Sequence, residues 1–310
     1  MEVVALRPET VHMSITETSP APTLPATLRL GPTHLTVSTL DGSIAFYERS
    51  LGLQVHHRDG TSAAMGTGGE DLLVLVEQPG ATLGGRHAGL YHFALLFDSR
   101  EELARAIVRL AETGTRIEGA SDHGVSEAIY LRDPDDNGIE LYVDRPRSQW
   151  PEPRHPDERV AMYTIALDIP ALMALVQGET PQSQSGPGLR TGHLHLHVGS
   201  VERGLAFYRD VLGFEVMVNL GSAAFVSAGG YHHHLGFNVW LGSDVKPTPP
   251  DAAGLRHWTV YLESADEIGT VRARAEAAGI AVEEVEGGFL VHDPSQTAVV
   301  FAVAPQSATV

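Results

Sequence analysis

The amino-acid sequence predicts an α+β fold built from four βαβββ modules, which arise by tandem duplication of a two-module unit. Thr33 to Leu53 and Gly192 to Phe214 align on the tripeptide Ala-Phe-Tyr. Each reads as a strand, a short turn and an amphipathic helix closed by a glycine. Gly89 to Ser99 and Gly254 to Ser264 form a second pair, in which a strand leads into a helix that begins with a capping box. The order of these repeats along the chain gives the four modules.

The modules group into two predicted domains, residues 28–145 and residues 191–304. Residues 1–27 precede them and read as a mobile tail, because proline and threonine are frequent there. Residues 146–190 join the two domains and are rich in Pro, Gly, Gln and Ser, which is typical of a linker. One short helix, near Ile169 to Val176, is predicted within this linker.

Composition excludes several classes of function. The chain has 310 residues and a formal net charge of −18, so nucleic acid or an anionic membrane surface would repel it. It contains no cysteine, which rules out disulfides, thiolate metal sites and cysteine nucleophiles. No apolar run has the length of a membrane span, and the first residues lack the basic and apolar regions of a signal peptide. We therefore expect a cytoplasmic protein without a nucleic-acid or membrane partner.

The stretch from Gly119 to Tyr142 contains several side chains suited to catalysis or metal binding. It contains His123, Tyr130 and, ten residues after the tyrosine, Glu140. Asp-Pro and Asn-Gly turn signals lie between the tyrosine and the glutamate, which predicts a strand, a tight turn and a second strand. Glu140 would then lie in an apolar strand, where a carboxylate is costly unless a cation or a hydrogen-bond donor pairs with it. From the residues alone, a strand-end glutamate that reaches solvent is an equal alternative.

Histidine is frequent, with 16 in the chain, and two clusters are internal. His193, His195 and His197 alternate along one predicted strand, so their side chains share a face. His232 and His234 flank a third histidine, and strand alternation places these two on one face. Because histidine is the commonest metal ligand and the usual acid–base group near neutral pH, the clusters indicate chemistry of that kind.

Four segments carry a resemblance to a known family: GLYHFALL, DHGVSEAIYLRDPDDNGIELYVDRP, GHLHLHV and GGYHHHLGFNVW. From about residue 28 to residue 304, the chain resembles the extradiol ring-cleaving dioxygenases of the vicinal oxygen chelate superfamily, specifically the two-domain catechol 2,3-dioxygenases. The family motif has a His, a Tyr, Asp-Pro, a glycine and a ligand Glu, which His123, Tyr130 and Glu140 match in order. The sequence departs from the motif at Asp136, where the family usually has glycine, and at Ser121.

The resemblance implies that two histidines and one carboxylate hold Fe(II), or alternatively Mn(II), and leave positions open for a catecholate and O₂. Carried over by position, His92 and Glu140 are two of the ligands. The third is His195 or His34, which occupy equivalent places before the Ala-Phe-Tyr motif. His195 is preferred, because the second and third modules would then pair and the third carries the run of histidines. The C-terminal half has Val300 at the position that matches Glu140, so it cannot build the same site alone.

The resemblance also implies the remaining roles. The expected catalytic residues are His123, Tyr130, His232 and His234. Tyr130 would bind a substrate oxygen, and a histidine of the run would assist proton transfer from the catechol. His193 is expected to lie behind the ligands or in the core. The implied substrates are a small aromatic diol and O₂, and the implied assembly is a homo-oligomer. A glyoxalase-like isomerase or epimerase and a metal-free protein that binds a small aromatic molecule are the alternatives.

Overall fold

The structure is a computed structural model that describes residues 23–153 and 158–305. Of the predicted mobile tail, residues 1–22 therefore lie outside the described part. The remaining tail residues pack against the protein: Leu24 is buried, and its backbone N–H donates to the carbonyl of Gly213 at 2.8 Å. Leu24 belongs to the hydrophobic core, so this end of the predicted tail packs with the domains.

Four βαβββ modules follow one another along the chain, which confirms the predicted fold class. The first module comprises β1 (Arg29–Val37), α1 (Leu40–Phe46), β2 (Gln54–Asp59), β3 (Ser62–Gly66) and β4 (Asp71–Glu77). The second comprises β5 (Gly89–Phe97), α2 (Arg100–Glu112), β6 (Gly119–Asp122), β7 (Ser126–Arg132) and β8 (Gly138–Asp144). The linker contributes β9 (Ile165–Ala166) and α3 (Ile169–Ala174).

The third and fourth modules repeat this order. The third comprises β10 (Arg190–His197), α4 (Val201–Leu205), β11 (Glu215–Asn219), β12 (Ala223–Ser227) and β13 (Leu235–Asn238). The fourth comprises β14 (Gly254–Leu262), α5 (Ala265–Ala277), β15 (Glu283–Val285), β16 (Gly288–His292) and β17 (Ala298–Val303). A turn of π-helix continues α1 over Tyr47–Leu51 and α4 over Ala206–Val211, and a 3₁₀ turn spans Arg147–Gln149.

The modules pair out of sequence order in two mixed sheets. The second and third modules form a nine-stranded sheet with the order β11-β12-β13-β10-β5-β8-β7-β6-β9. The first and fourth modules form an eight-stranded sheet with the order β15-β16-β17-β14-β1-β4-β3-β2. Each sheet joins its two modules through a central antiparallel pair, β5 with β10 or β1 with β14. Each sheet therefore takes one module from each half of the chain.

Local signals set the helix ends where the sequence predicts them. The side chain of Ser264 accepts the N–H of Glu267 at 3.3 Å, and the Glu267 carboxylate bonds back to the backbone N–H of Ser264, which completes the predicted capping box of α5. At α2, Ser99 accepts the N–H of Glu102 at 3.3 Å. Gly52 closes the first helix with a φ of 66°, a left-handed conformation that costs glycine little. Within the described residues, every helix falls short of the length and apolar character that crossing a bilayer requires.

The linker is partly built into the fold. α3 lies where the short helix is predicted, buries Leu172 and packs against α2. β9 is not predicted by the sequence; it pairs antiparallel with β6 and extends the edge of the nine-stranded sheet. The linker therefore covers one side of the second module.

Two tyrosines fasten the helices of one module to a turn of the next. The hydroxyl of Tyr47 donates to Oδ2 of Asp133 at 2.7 Å, and that of Tyr208 donates to Oδ2 of Asp293 at 2.9 Å. All four side chains are buried. The tyrosines of the two Ala-Phe-Tyr motifs thus fix the Asp-Pro turns. In the second module this turn leads directly into the strand that carries Glu140.

Candidate active site

Four side chains form one row across the middle of the nine-stranded sheet. His193 on β10 pairs with Ala94 on β5. Ala94 pairs in turn with Glu140 on β8, and Glu140 pairs with Tyr130 on β7. Residues that pair directly across neighbouring strands point to the same face of a sheet, so these side chains share one side. Ala94 is the small member of the row, and its methyl group leaves space between His193 and Glu140.

A second histidine reaches the same carboxylate from the neighbouring row. His92 precedes Ala94 by two residues, so both lie on the same face of β5. Its Nε2 is 3.0 Å from Oε2 of Glu140, and Nε2 of His193 is 3.2 Å from the same oxygen. All three residues are buried, and one ligand atom from each lies within 4.8 Å of the others. Among the described residues, this is the group of His and carboxylate side chains that could hold a metal ion.

The charge state of this group suits a cation. Burial alone would raise the pKa of Glu140, but the adjacent His193 and His92 hold it well below its usual range, so the carboxylate is ionised. Burial lowers the pKa of His193, although Glu140 opposes this shift. Nε2 of His92 approaches Glu140 without the angle of a hydrogen bond, and this buried atom has no hydrogen-bond partner in the described chain. Unpaired imidazole nitrogen beside a buried carboxylate is a donor set that fits a divalent metal.

His195, the expected third ligand, lies next to this group, but its ring is bonded elsewhere. It pairs with His92 across the central strands, with ring centroids 5.1 Å apart. Oδ1 of Asn238 accepts the backbone N–H of Trp240, so the amide presents its NH₂ group to Nε2 of His195 at 2.9 Å. That nitrogen of His195 is therefore occupied. The structure brings His193, rather than His195, to the carboxylate. The reason is the strand pairing: His193 lies opposite Ala94, the neighbour of Glu140, whereas His195 lies opposite His92.

The alternative ligand, His34, lies in the other sheet. It faces His257 across β1 and β14, and the two rings stack with centroids 3.9 Å apart. The strand that corresponds to β8 in this sheet is β17, where Val300 stands in the place of the carboxylate. His34 is thus no part of the group around Glu140, and the pairing of the second with the third module removes it from the site.

A cavity of about 440 Å³ lies over this group, a volume typical of small-molecule sites. Its polar wall includes His123 and Tyr130, both singled out by the sequence. Nδ1 of His123 is 2.9 Å from the carbonyl oxygen of Tyr163, which can only accept, so this nitrogen carries the proton. Nε2 of His123 then accepts the hydroxyl of Tyr130 at 2.7 Å. Burial, together with the charge of Glu140, raises the pKa of Tyr130, so the phenol keeps its proton.

The opposite wall of the cavity is largely apolar and aromatic. Its residues include Tyr91, Val218, Leu220, Phe225 and Trp240. Leu220 and Trp240 are 60% and 53% exposed, which is unusual for large apolar side chains and places them at the mouth of the cavity. An aromatic or alkyl group could therefore be held between this wall and the polar one.

The three consecutive histidines point in different directions, and the predicted alternation does not hold. His233 lines the cavity and packs against His193, with ring centroids 4.1 Å apart. His232 is completely buried behind it, and His234 lines a separate cavity. The expectation that His232 and His234 face the substrate is therefore corrected. It assumed a strand, whereas β13 begins only after the run.

Comparison with known proteins assigns the family. The family model described as Glyoxalase/Bleomycin resistance protein/Dioxygenase superfamily matches residues 29–141 and 190–290. The chain belongs to this superfamily. It is 43% identical over 270 residues to a catechol-2,3-dioxygenase from Bacillus subtilis (strain 168), which covers 86% of this chain and 93% of the relative. The predicted catechol 2,3-dioxygenase-like family, an oxidoreductase family, is thereby confirmed.

Solved structures agree with this assignment at the level of the fold. A candidate dioxygenase from Bacillus subtilis subsp. subtilis str. 168 superposes with a TM-score of 0.58 at 14% identity, over 89% of this chain and 86% of the other. Glyoxalase I from Zea mays superposes with a TM-score of 0.55 at 16% identity, over 89% of this chain and 92% of the other. The superfamily architecture, with its mixed sheets and few helices, is therefore confirmed.

The structure places His193 and His233 at the cavity group of this superfamily member, where the sequence predicts His195, His232 and His234. Counting back from the Ala-Phe-Tyr motif selects His195. The register shift between Thr191 and His193 sets His193 opposite Ala94. Such a shift depends on how the two strands pair, so no residue pattern near His193 predicts it. One usable signal was Ala94 itself, a small residue two positions after a candidate ligand in an otherwise bulky strand.

We expect the stacked histidines to make the protein less stable in mild acid. Burial, together with His257 and Arg256, lowers the pKa of His34 to about 3, and burial and Arg256 lower that of His257 to about 4. In the unfolded chain both take up a proton below about pH 6.5, whereas the folded pair stays neutral to lower pH. The free energy of unfolding therefore decreases as the pH falls from about 6.5 toward 4. His34→Gln should reduce this slope by up to about 1.4 kcal/mol per pH unit.

Urea denaturation at a series of pH values between 4.5 and 7 measures this slope. His57→Gln is the matched control, because His57 is exposed on β2. A slope in His34→Gln equal to that of the wild type would contradict the expectation.

Proposed function

We propose that the protein is a metal-dependent extradiol dioxygenase, which inserts both atoms of O₂ into a catechol-like aromatic and opens the ring next to the diol. The observation that carries the proposal is the buried group of His92, His193 and Glu140 beneath a cavity of ligand size. The likeness to the catechol-2,3-dioxygenase of Bacillus subtilis supports the choice of reaction. A small aromatic diol and O₂ are the proposed substrates.

We propose Fe(II) as the metal, with Mn(II) as the alternative, held by His92, His193 and Glu140. Two imidazoles and one carboxylate on one face are typical of non-haem Fe(II) sites with open positions. When bound, the metal would supply a centre at which a catecholate and O₂ are held side by side and can exchange electrons. His195 lies two residues after His193 on β10 and lines the same cavity. Its proposed role is to shape the wall of the site.

The surrounding side chains would orient the diol and handle its protons. Tyr130 lies in the same row as Glu140, and because its proton points to His123, its hydroxyl oxygen is in position to accept a hydrogen bond from a substrate hydroxyl. His123 fixes the phenol of Tyr130 through the bond of 2.7 Å. Across the cavity, His233 stands beside His193 and can accept a proton from the second hydroxyl and return it later. His233 therefore replaces the predicted His232 and His234 as the acid–base histidine of this proposal.

Two further parts of the proposal rest on the sequence and the family alone. They are a cytoplasmic location and assembly as a homo-oligomer. Light scattering coupled to size-exclusion chromatography measures the assembly.

Oxygen uptake tests the proposed reaction. Protein that has been loaded anaerobically with Fe(II) should consume one O₂ per catechol and form a ring-opened semialdehyde. An oxygen electrode measures the uptake, and mass spectrometry should find both atoms of ¹⁸O₂ in the product. The metal-free protein is the control. The proposal is wrong if the iron-loaded protein consumes no O₂ with any catechol tested. Isomerisation of a glyoxalase substrate with Ni(II) or Co(II), and no reaction with catechols, would indicate the glyoxalase-like alternative.

Matched variants test the ligand assignment. His193→Gln should lower the affinity for Fe(II) by about a hundredfold or more, because it removes one of three protein ligands, whereas His195→Gln should retain iron. The measurement is the metal-to-protein ratio after anaerobic loading and desalting, with competition by a chelator. Loss of iron in His195→Gln together with its retention in His193→Gln would restore the assignment made from the sequence.

The apolar wall predicts a preference for alkyl-substituted catechols. Each methylene that leaves water contributes about 0.8 kcal/mol, so kcat/KM should rise about fourfold per carbon from catechol to 4-methylcatechol and 4-ethylcatechol. Trp240→Ser and Leu220→Ser should weaken this trend and change the value for catechol little. Leu83→Ser is the control, since Leu83 is also 61% exposed but lies outside the lining of this cavity. Equal trends in all four proteins would show that the wall does not bind the substituent.

A further inference from the structure

His233 is held from behind by hydrogen bonds that lead away from the cavity. The Nδ1 atoms of His232 and His233 are 2.8 Å apart, and Nε2 of His232 is 2.8 Å from Oδ1 of Asp144. His232 is completely buried, whereas the side chain of Asp144 is 27% exposed. The proposed reaction uses His233 and gives no role to the two residues behind it.

The carboxylate sets the direction of the protons along this chain. A carboxylate only accepts hydrogen bonds, so Nε2 of His232 is the donor in its bond to Asp144. In its neutral form His232 carries one proton, so its Nδ1 is an acceptor, and the hydrogen between the two rings then belongs to Nδ1 of His233. Nε2 of His233 is then left without a proton. A nitrogen in this state is what a proton acceptor for a substrate hydroxyl needs.

The carboxylate is itself held by Tyr231, which in turn contacts the hydroxyl of Tyr142. The hydroxyl of Tyr231 lies 3.2 and 3.0 Å from the two carboxylate oxygens of Asp144, and it is 2.8 Å from the hydroxyl of Tyr142. The ring of Tyr231 also packs on that of His232, with centroids 4.0 Å apart. Asp144 is the last residue of β8 and follows Glu140 by four, so one strand carries both carboxylates. The support of His233 is therefore tied to the strand that carries the candidate metal ligand.

We propose that Asp144 and His232 are positioning residues, which hold His233 in its Nδ1–H tautomer and leave its Nε2 free for the substrate. Neither residue lines the cavity, so both act through His233. The consequence for catalysis rests on the proposed ring-cleaving function, whereas the tautomer is a property of the protein alone. Two experiments separate these statements.

Nitrogen-15 NMR tests the tautomer. Long-range ¹H–¹⁵N correlation spectra of the full-length, labelled protein with bound Zn(II) distinguish the Nδ1–H, Nε2–H and doubly protonated forms of imidazole. The signals of His233 are those absent from His233→Phe. We expect the Nδ1–H form in the wild type. In Asp144→Asn the side chain can donate to His232 as well as accept, so the Nε2–H form of His233 should become populated. Tyr231→Phe keeps the bond between Asp144 and His232 and should keep the wild-type tautomer.

Either of two results in these spectra would overturn the proposal. One is the Nε2–H form of His233 in the wild type, which would mean that His232 is the donor between the rings. The other is an unchanged tautomer in Asp144→Asn. The wild-type spectrum decides the first point even if the variant fails to fold.

Steady-state kinetics of the iron-loaded protein test the consequence. Asp144→Asn should lower kcat for catechol by about 10- to 100-fold, with KM and metal content unchanged. Combined with His233→Phe, it should cause no further loss, because Asp144 acts only through His233. Asp98→Asn is the matched control, since it removes a carboxylate from an exposed ion pair with Arg190.

The outcomes of the kinetics are distinguishable. An Asp144→Asn loss that multiplies with that of His233→Phe, or that follows a loss of metal, would indicate a merely structural role and overturn the positioning proposal. If the wild type consumes no O₂, the proposed function fails, and the tautomer of His233 in the spectra still decides the positioning proposal.

Discussion

The pairing of β5 with β10 is the constraint on which the site depends. These strands lie at the centre of the nine-stranded sheet and come from different halves of the chain. Their register sets His193 beside Ala94, and therefore beside Glu140. Removing a carboxylate from water costs several kcal/mol unless other groups compensate. The two imidazoles beside Glu140 come from the second and the third module. The site therefore forms only when these modules, one from each half of the chain, pair in one sheet.

Duplication supplies an internal comparison. The eight-stranded sheet has the same central pair of strands, and His34 there faces His257 as His195 faces His92. Its counterpart of Glu140 is Val300, so this position of the second sheet has no negative charge to attract a cation. The two histidines stack on each other in a half-buried position, and this partial loss of water lowers the pKa of each ring and keeps it neutral. Only the nine-stranded sheet therefore combines histidines with a buried carboxylate, whereas the described part of the eight-stranded sheet has packed side chains at these positions.

The sequence predicts those features that short-range patterns determine. The capping box at Ser264 and the strand–turn–strand before Glu140 each lie within a single module, which explains why they can be predicted without a structure. His92 and Glu140 also lie within one module, and the resemblance to the family implies both as ligands. The remaining residues depend on contacts between distant segments. His193 requires the register of two strands from different modules, and His233 requires a bend where a strand is expected. Neither feature leaves a periodic trace in the residues, so the position before the Ala-Phe-Tyr motif points to His195, and strand alternation points to His232 and His234.

The two buried carboxylates Asp133 and Glu140 of the second module differ in their hydrogen-bond partners. Asp133 accepts four hydrogen bonds. The donors are the backbone N–H groups of Asp135 and Asn137, the side-chain amide of Asn137 and the hydroxyl of Tyr47. Asp293 repeats the backbone bonds and the tyrosine bond in the other half, with Tyr208 as its donor. A carboxylate with donors of this kind in both halves stabilises the fold. Glu140 is not repeated, and the histidine nitrogens around it are not fully paired. A buried charge of this kind in one half only is costly for stability, and the unpaired histidine nitrogens beside it form, with the carboxylate, a set of ligand atoms that fits a cation.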